Sequence, residues 1–240
     1  MHIAKFICCA FLVLATNMSV AAAEEPPFFE ATYKLISSGL EIAQMERKLH
    51  KRGEEGYVYS SITDTIGIVA MFHKDHIVEE SQWEIVDSLI RPLNYTYIRS
   101  GGKKDRRINI DFDWDNKIIN NVSNEKYRQM PLQAGILDKL LYQYALMRDL
   151  RDNPAEIAYD VTDGGKMKKY DFAIMNEEIV QTPLGPLQTV RLQRIGHDDK
   201  SMLIIWAATA LKYLPVKVES TDEDGRTTTA IIQTLIWLAG

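Results

Sequence analysis

The sequence predicts a mainly β fold: a strongly curved antiparallel meander sheet, a half-barrel or incomplete barrel, with one long helix packed in its concave side. Three observations predict it. From Phe29 onward, strand-like segments follow one another closely, separated by short turns rich in Gly, Asp, Asn and Lys. Only "QAGILDKLLYQYALMRDL", Gln133 to Leu150, reads there as a long helix. That helix is apolar on almost every side, as buried helices are. About a dozen twisted strands must curl, split into two layers or close. A sheet curled around the helix would supply contacts on several sides at once.

The elements follow in chain order. Lys5, the apolar run "FICCAFLVLA" and Ala21-Ala22-Ala23 make the pattern of a secretory signal peptide over residues 1–23, with cleavage expected after Ala23. The run is too short and wrongly flanked for a membrane span. Cys8 and Cys9 lie inside it with no lipobox before them, so the remaining 217 residues carry no thiol. Residues 24–240 are long enough to bury a core without disulfides and are expected to form a single domain. With 28 Lys and Arg against 33 Asp and Glu, the chain has no general attraction for nucleic acid. No second apolar run has membrane-spanning length, so a soluble mature chain is expected.

"FFEATYKLIS" puts Phe29, Ala31, Tyr33 and Leu35 on one face, and Ser38-Gly39 ends it. A strand over Leu40–Leu49 reaches the turn "KRGEEG", and "YVYSSITDT" leads away. "GIVAMF" is continuous, which suggests burial on both faces or a short helix-like turn. "IRPLNYTYIRS" runs into the turn "GGKKD". "RRINIDFDWD" alternates strictly: Ile108, Ile110, Phe112 and Trp114 on one face, Asn109, Asp111, Asp113 and Asp115 on the other. After the helix, ended by Asn153-Pro154, come Glu156–Val161, "TDGGK", Met167–Met175 and a hairpin on "TPLGPLQTV". "SMLIIWAA", "LKYLPVKVES" and "TTTAIIQTLIWL" complete the meander.

Residues able to carry chemistry are few. His73 and His76 flank Asp75 in "HKDH", which reads as a polar hairpin tip, since no third or fourth ligand stands nearby. The carboxylates of "DFDWD" read as the wet face of a strand; an EF-hand glycine and distal Glu are missing. No G-x-S-x-G elbow is present, and His50, His73, His76 and His197 all sit beside charged turns, a poor setting for a catalytic base. Neither metal nor cofactor is expected. Arg148 falls in the main apolar sector of the helix. It either wets its head while burying its stem, or points into the interior to meet Asp138, a strand carboxylate or an acidic headgroup. Tyr142 and Tyr144 read as core residues whose hydroxyls lie near any cavity.

The order of "FEATYKL", "DFDWDN", "LQAGILDKLLYQYALMRDL", "TPLGPLQTVRLQR", "WAATALKYLPVKVE" and "DEDG" resembles the bacterial exported domain-of-unknown-function family 3108, over Phe28 to Leu238. Where that pattern often carries Ala-Pro after the tryptophan, this chain has Ala207-Ala208-Thr209 after Trp206. The resemblance implies a periplasmic, mainly β protein and no particular activity. The expected function is non-enzymatic binding of a lipid or other hydrophobic ligand by the concave sheet. Leu137, Leu141, Tyr144 and Arg148 of the helix would line the site, opposite Phe112 and Trp114. The alternative is a structural module that holds an envelope protein partner through an edge strand or loops. An envelope hydrolase is the least supported reading.

Overall fold

Hairpin pairing realises the alternation of the sequence almost throughout. The computed structural model describes residues 26–54, 56–72, 74–102, 104–152, 154, 156–196 and 201–239. The predicted signal peptide with its cleavage site, His73, Asn153 and His197 lie outside the described residues. Fifteen strands and one α-helix are found among the described residues. They are β1 (Phe29–Ser37), β2 (Leu40–Arg52), β3 (Gly56–Thr65), β4 (His76–Val86), β5 (Leu89–Ser100), β6 (Arg106–Asp113), β7 (Ile118–Ser123) and β8 (Lys126–Pro131). Next come β9 (Ile136–Asp138), α1 (Leu141–Arg151), β10 (Ile157–Asp163), β11 (Lys166–Thr182), β12 (Gly185–Ile195), β13 (Met202–Ala208), β14 (Leu214–Thr221) and β15 (Thr227–Trp237).

All strands belong to one sheet, ordered β8-β7-β6-β5-β4-β3-β2-β1-β15-β14-β13-β12-β11-β10-β9. The first and last strands meet in mid-sheet, Phe29 opposite Trp237 and Ser37 opposite Thr228. Every pair is antiparallel except β9 with β10, where Ile136 and Leu137 run parallel to Asp160 and Val161. The sheet is therefore mixed, a correction to the wholly antiparallel meander expected. It is not closed: β8 and β9 remain unpaired with each other. The β9 edge instead lies beside β5, and Ser81 of β4 donates to Asp138 Oδ2 at 2.5 Å. Gly165, at φ +80°, brings the β10–β11 turn so close to β7 that a Cβ there would meet Asn121 Nδ2 at 2.9 Å.

The antiparallel order sorts the turns. Those joining β1–β2, β3–β4, β5–β6, β7–β8, β10–β11, β12–β13 and β14–β15 gather at one end of the strands, called the upper end below. The other turns lie at the lower end.

The helix is shorter than the sequence pattern suggests, 11 residues from Leu141 to Arg151. Gly135, at φ +85°, breaks the chain ahead of it, and Ile136–Asp138 spend their backbone groups on β10. Asp138 then starts the helix: its Oδ1 accepts the N–H groups of Leu140 (2.9 Å) and Leu141 (2.8 Å), two donors a helix leaves unmet. Asp138 is fully buried. Burial around the rest is as broad as expected. The Tyr144 ring lies 4.6 Å from that of Trp83 on β4, and Tyr142 meets Tyr170 edge-on at 5.1 Å on β11. Strands from both halves of the sheet thus touch one helix.

Two smaller expectations change. "GIVAMF" is not buried; Val69–Met71 form a single 3-10 turn with Ile68, Met71 and Phe72 exposed. β6 stops short of Trp114, because the Asp113 carboxylate binds the backbone and side chain of Asn116 and turns the chain, but Trp114 still packs, half-buried, against the core that holds Ile108, Ile110 and Phe112.

Candidate functional site

Four strands carry polar residues in the phase that elsewhere is apolar. On β2 Arg47 alternates with Met45 and Leu49; on β4 Glu79 and Ser81 alternate with Ile77 and Trp83. On β11 Lys168 shares its phase with Tyr170 and Phe172, and on β12 Arg194 shares its phase with Val190 and Leu192. Strand alternation aims all of them at the side of the sheet that holds the main core.

Of these, Glu79, Lys168 and Arg194 border a partly open cavity of about 550 Å³ near the upper end. Leu35, Met45, Ile77 and Leu203 give it apolar wall, and Tyr97, Tyr142 and Tyr170 give it rings. Its charges come from Glu79, Lys139, Asp163, Lys168 and Arg194, and its hydroxyls from Ser61, Thr63, Ser201 and Ser220. Lys139, Tyr142 and Gln143, at the start of the helix, form its floor.

The polar lining is partly organised. Tyr95 donates to Glu79 Oε1 at 2.7 Å, so the tyrosine is held strongly protonated by burial and by that carboxylate. Lys168 Nζ lies 3.1 Å from Asp163. Burial would raise the Asp163 pKa, but Lys139, Lys168 and Arg106 outweigh it and hold the carboxyl below its usual range. Arg194 donates to Ser201 Oγ at 3.1 Å and lies over the Tyr170 ring at 4.8 Å. Burial pushes Tyr142 up to about 12 against the pull of Arg194 and Arg47, so it keeps its hydroxyl proton at neutral pH. Arg47 donates to Gln143 Oε1 and lies over the Tyr33 ring, while its buried Nε has no hydrogen-bond partner among the described residues.

The residues predicted as ligand-lining are elsewhere. Leu137, Leu141, Tyr144 and Phe112 are buried together in the main core, and none borders the cavity. Trp114 stands in the β6–β7 turn, donating its indole N–H to the Pro92 carbonyl at 2.8 Å beneath the Arg91 guanidinium. Arg148 does not reach the interior or Asp138. It is half-buried, 3.3 Å from Asp149 and from the Ser88 carbonyl at the lower end, because the helix begins at Leu141 and runs toward that end. Of the helix tyrosines only Tyr142 faces the cavity. The signal that marks the observed lining is a charge in the apolar phase of an alternating strand, as at Glu79, Lys168 and Arg194.

Other candidates resolve into local structure. His76 Nδ1 meets Asp64 at 2.7 Å on the surface, and Asp113 serves its own turn. Among the described residues no group of three His, Cys, Asp or Glu side chains could hold a metal. No helix among them is long and apolar enough to cross a membrane. A larger hollow of about 640 Å³ rests on Thr96, Ile98, Arg107, Asn109 and Val122. These residues alternate out of phase with the buried Tyr95 and Ile110, so the hollow is a groove on the far face of the sheet.

Residues 29–231 match the model of a family described as a protein of unknown function, DUF3108. Among solved structures the fold is similar to a crystal structure from Brucella abortus, described as a beta-barrel-like protein of domain of unknown function DUF1849. The TM-score is 0.57 at 7% identity, over 89% of this chain and 99% of the other. No curated protein matches the chain.

Proposed function

This chain belongs to the DUF3108 family, and for it we propose a non-enzymatic role in the periplasm: binding a small amphipathic molecule of the cell envelope in the upper cavity. The sheet is read as curving around the helix, which fills the lower half of the hollow and leaves the upper half to a ligand. The observation that carries this reading is the cavity's mixed lining. About 550 Å³ is within the roughly 300–1,000 Å³ typical of ligand pockets. Its apolar wall and tyrosine rings suit an acyl or ring body, while Lys139, Lys168 and Arg194 suit an acidic or polar head. A wholly hydrophobic ligand would leave those charges facing apolar groups, at a cost.

A partner strand added to the sheet edge has weaker support. β8 carries Lys126, Arg128 and Pro131 along its exposed edge, the residues that discourage strand addition. β9 is only three residues long and buried.

Native mass spectrometry of protein purified from its own cells tests the reading. A one-to-one adduct is expected, and it should vanish in Thr63→Trp, which fills the cavity. A bare mass for the unmodified protein in repeated preparations would refute the proposal.

A further inference from the structure

The β3–β4 connection carries an apolar knob that the fold leaves in solvent. Its feet are tied: Ile66 N–H donates to the Ile42 carbonyl at 3.0 Å, and Thr65 N–H to the Asp75 carbonyl at 3.1 Å. Above them the turn at Val69–Met71 is closed by Met71 and Phe72 N–H groups donating to Ile68 and Val69. Ile68, Met71 and Phe72 are 72%, 79% and 76% exposed. Single exposed apolar side chains are ordinary on any protein, but three within five residues at the tip of a hairpin make a contiguous patch. Leu40, 60% exposed, follows the adjoining β1–β2 turn.

Cations border the knob. Lys74 is exposed, and the β5–β6 turn packs so closely on it that a Cβ at Gly101 would meet the Lys74 carbonyl oxygen at 2.1 Å. That turn opens "GGKKDRR", in which Lys104, Arg106 and Arg107 are exposed. The nearby carboxylates of Asp75 and Asp64 face Arg99 and His76, and Asp105, exposed in the same turn, is outnumbered there by Lys104, Arg106 and Arg107. This corner is therefore locally basic in a chain whose net charge is −5.

We propose that this corner docks the protein on a membrane surface bearing anionic headgroups. Ile68, Met71 and Phe72 enter the interfacial layer while Lys74, Lys104 and Arg107 meet phosphates. A nucleic acid would satisfy the cations and leave the knob in water, so the pairing of apolar tip and basic border favours a bilayer. The docking stands on these exposed residues alone. Its consequence for transfer rests on the proposed function: Thr63 and Ile77, at the feet of the knob, line the cavity, so docking would turn the mouth toward the membrane.

Co-sedimentation with vesicles is the test, using phosphatidylcholine alone and an equal-weight mixture with phosphatidylglycerol. The protein should pellet with the mixture and be released at high salt. Ile68→Ser with Met71→Ser and Phe72→Ser, and separately Lys104→Glu with Arg107→Glu, should each weaken binding by about tenfold or more. Both variants change exposed side chains, so unchanged thermal unfolding is expected and serves as the control. Absence of binding by the unmodified protein, or equal pelleting of the serine variant, would overturn docking. Self-association lost in the serine variant, without vesicle binding, would assign the knob to a second copy instead. Vesicle binding lost while the mass adduct persists would leave the cavity reading intact.

Discussion

The two ends of the interior are built on the same strands and differ in what those strands offer. On β3 the inward phase runs from Tyr57 and Tyr59 at the lower end to Ser61 and Thr63 at the upper. On β4 it runs from Trp83 through Ser81 to Glu79 and Ile77. The registers hold these changes level: Tyr59 faces Leu49 and Ser81, whereas Thr63 faces Met45 and Ile77. Below, Trp83 stacks between Tyr57 and Tyr144 at 4.6 Å on each side, and the helix fills the space. Above, the helix has not yet begun, and hydroxyls and charges line what it leaves. Pairing alone does not decide between core and cavity here. The side chains in one phase of a strand, and the residue at which the helix starts, decide it.

That contrast predicts unequal responses to truncation. Trp83→Ala, at a fully buried position, should cost about 3–5 kcal/mol in urea unfolding. Ile77→Ala, on the cavity wall, should cost about 1 kcal/mol, because one side of Ile77 already lacks close neighbours. Equal losses would erase the distinction between the ends.

The helix start should titrate. Burial pushes the Asp138 carboxyl up to about 6, against hydrogen bonds from Ser81, Leu141 and Leu140 that lower it. A folded-state pKa above the unfolded value near 3.8 means that the native state holds this proton more tightly. The stability contribution is present in full below about pH 4 and is lost as pH rises through about 6. Its size is on the order of 2–3 kcal/mol. Asp138→Asn keeps an oxygen for Leu140 and Leu141 and removes the titration. The unmodified protein minus this variant should therefore lose relative stability between pH 4 and 7; a flat difference would mean that Asp138 is charged at no cost.

Much of this architecture was legible in local chemistry. Ile108, Ile110 and Phe112 are buried as their alternation required, and the turn signals separate strands that pair as hairpins. The pattern over Gln133–Leu150 is ambiguous at its start, because Ile136, Leu137, Leu140 and Leu141 suit a helical stripe as well as a buried strand. Only the partner strand β10, whose Asp160–Thr162 pair with Ile136–Asp138, resolves that choice. Arg148 does share a side of the helix with Leu141 and Tyr144, but it stands in the last turn, where its guanidinium reaches Asp149 and the Ser88 carbonyl instead of the interior. The cavity was least legible. Glu79, Asp163, Lys168 and Arg194 come from four strands and meet only when the β9–β11 edge comes up against β4 and β5. Each left a trace as a charge in an apolar phase, but which charges share a space depends on the fold.

The sharpest test compares the two ends directly by thiol reactivity, since residues 24–240 contain no cysteine. Thr63→Cys places a thiol on the cavity wall, and Ala145→Cys places one in the packed lower core. With a small maleimide, the thiol at position 63 should react at close to the rate of a free thiol and slow when the cavity is occupied. The thiol at position 145 should react only through unfolding, about a hundredfold slower or more. Equal protection of both thiols would contradict the account, because the upper interior would then be as solid as the lower.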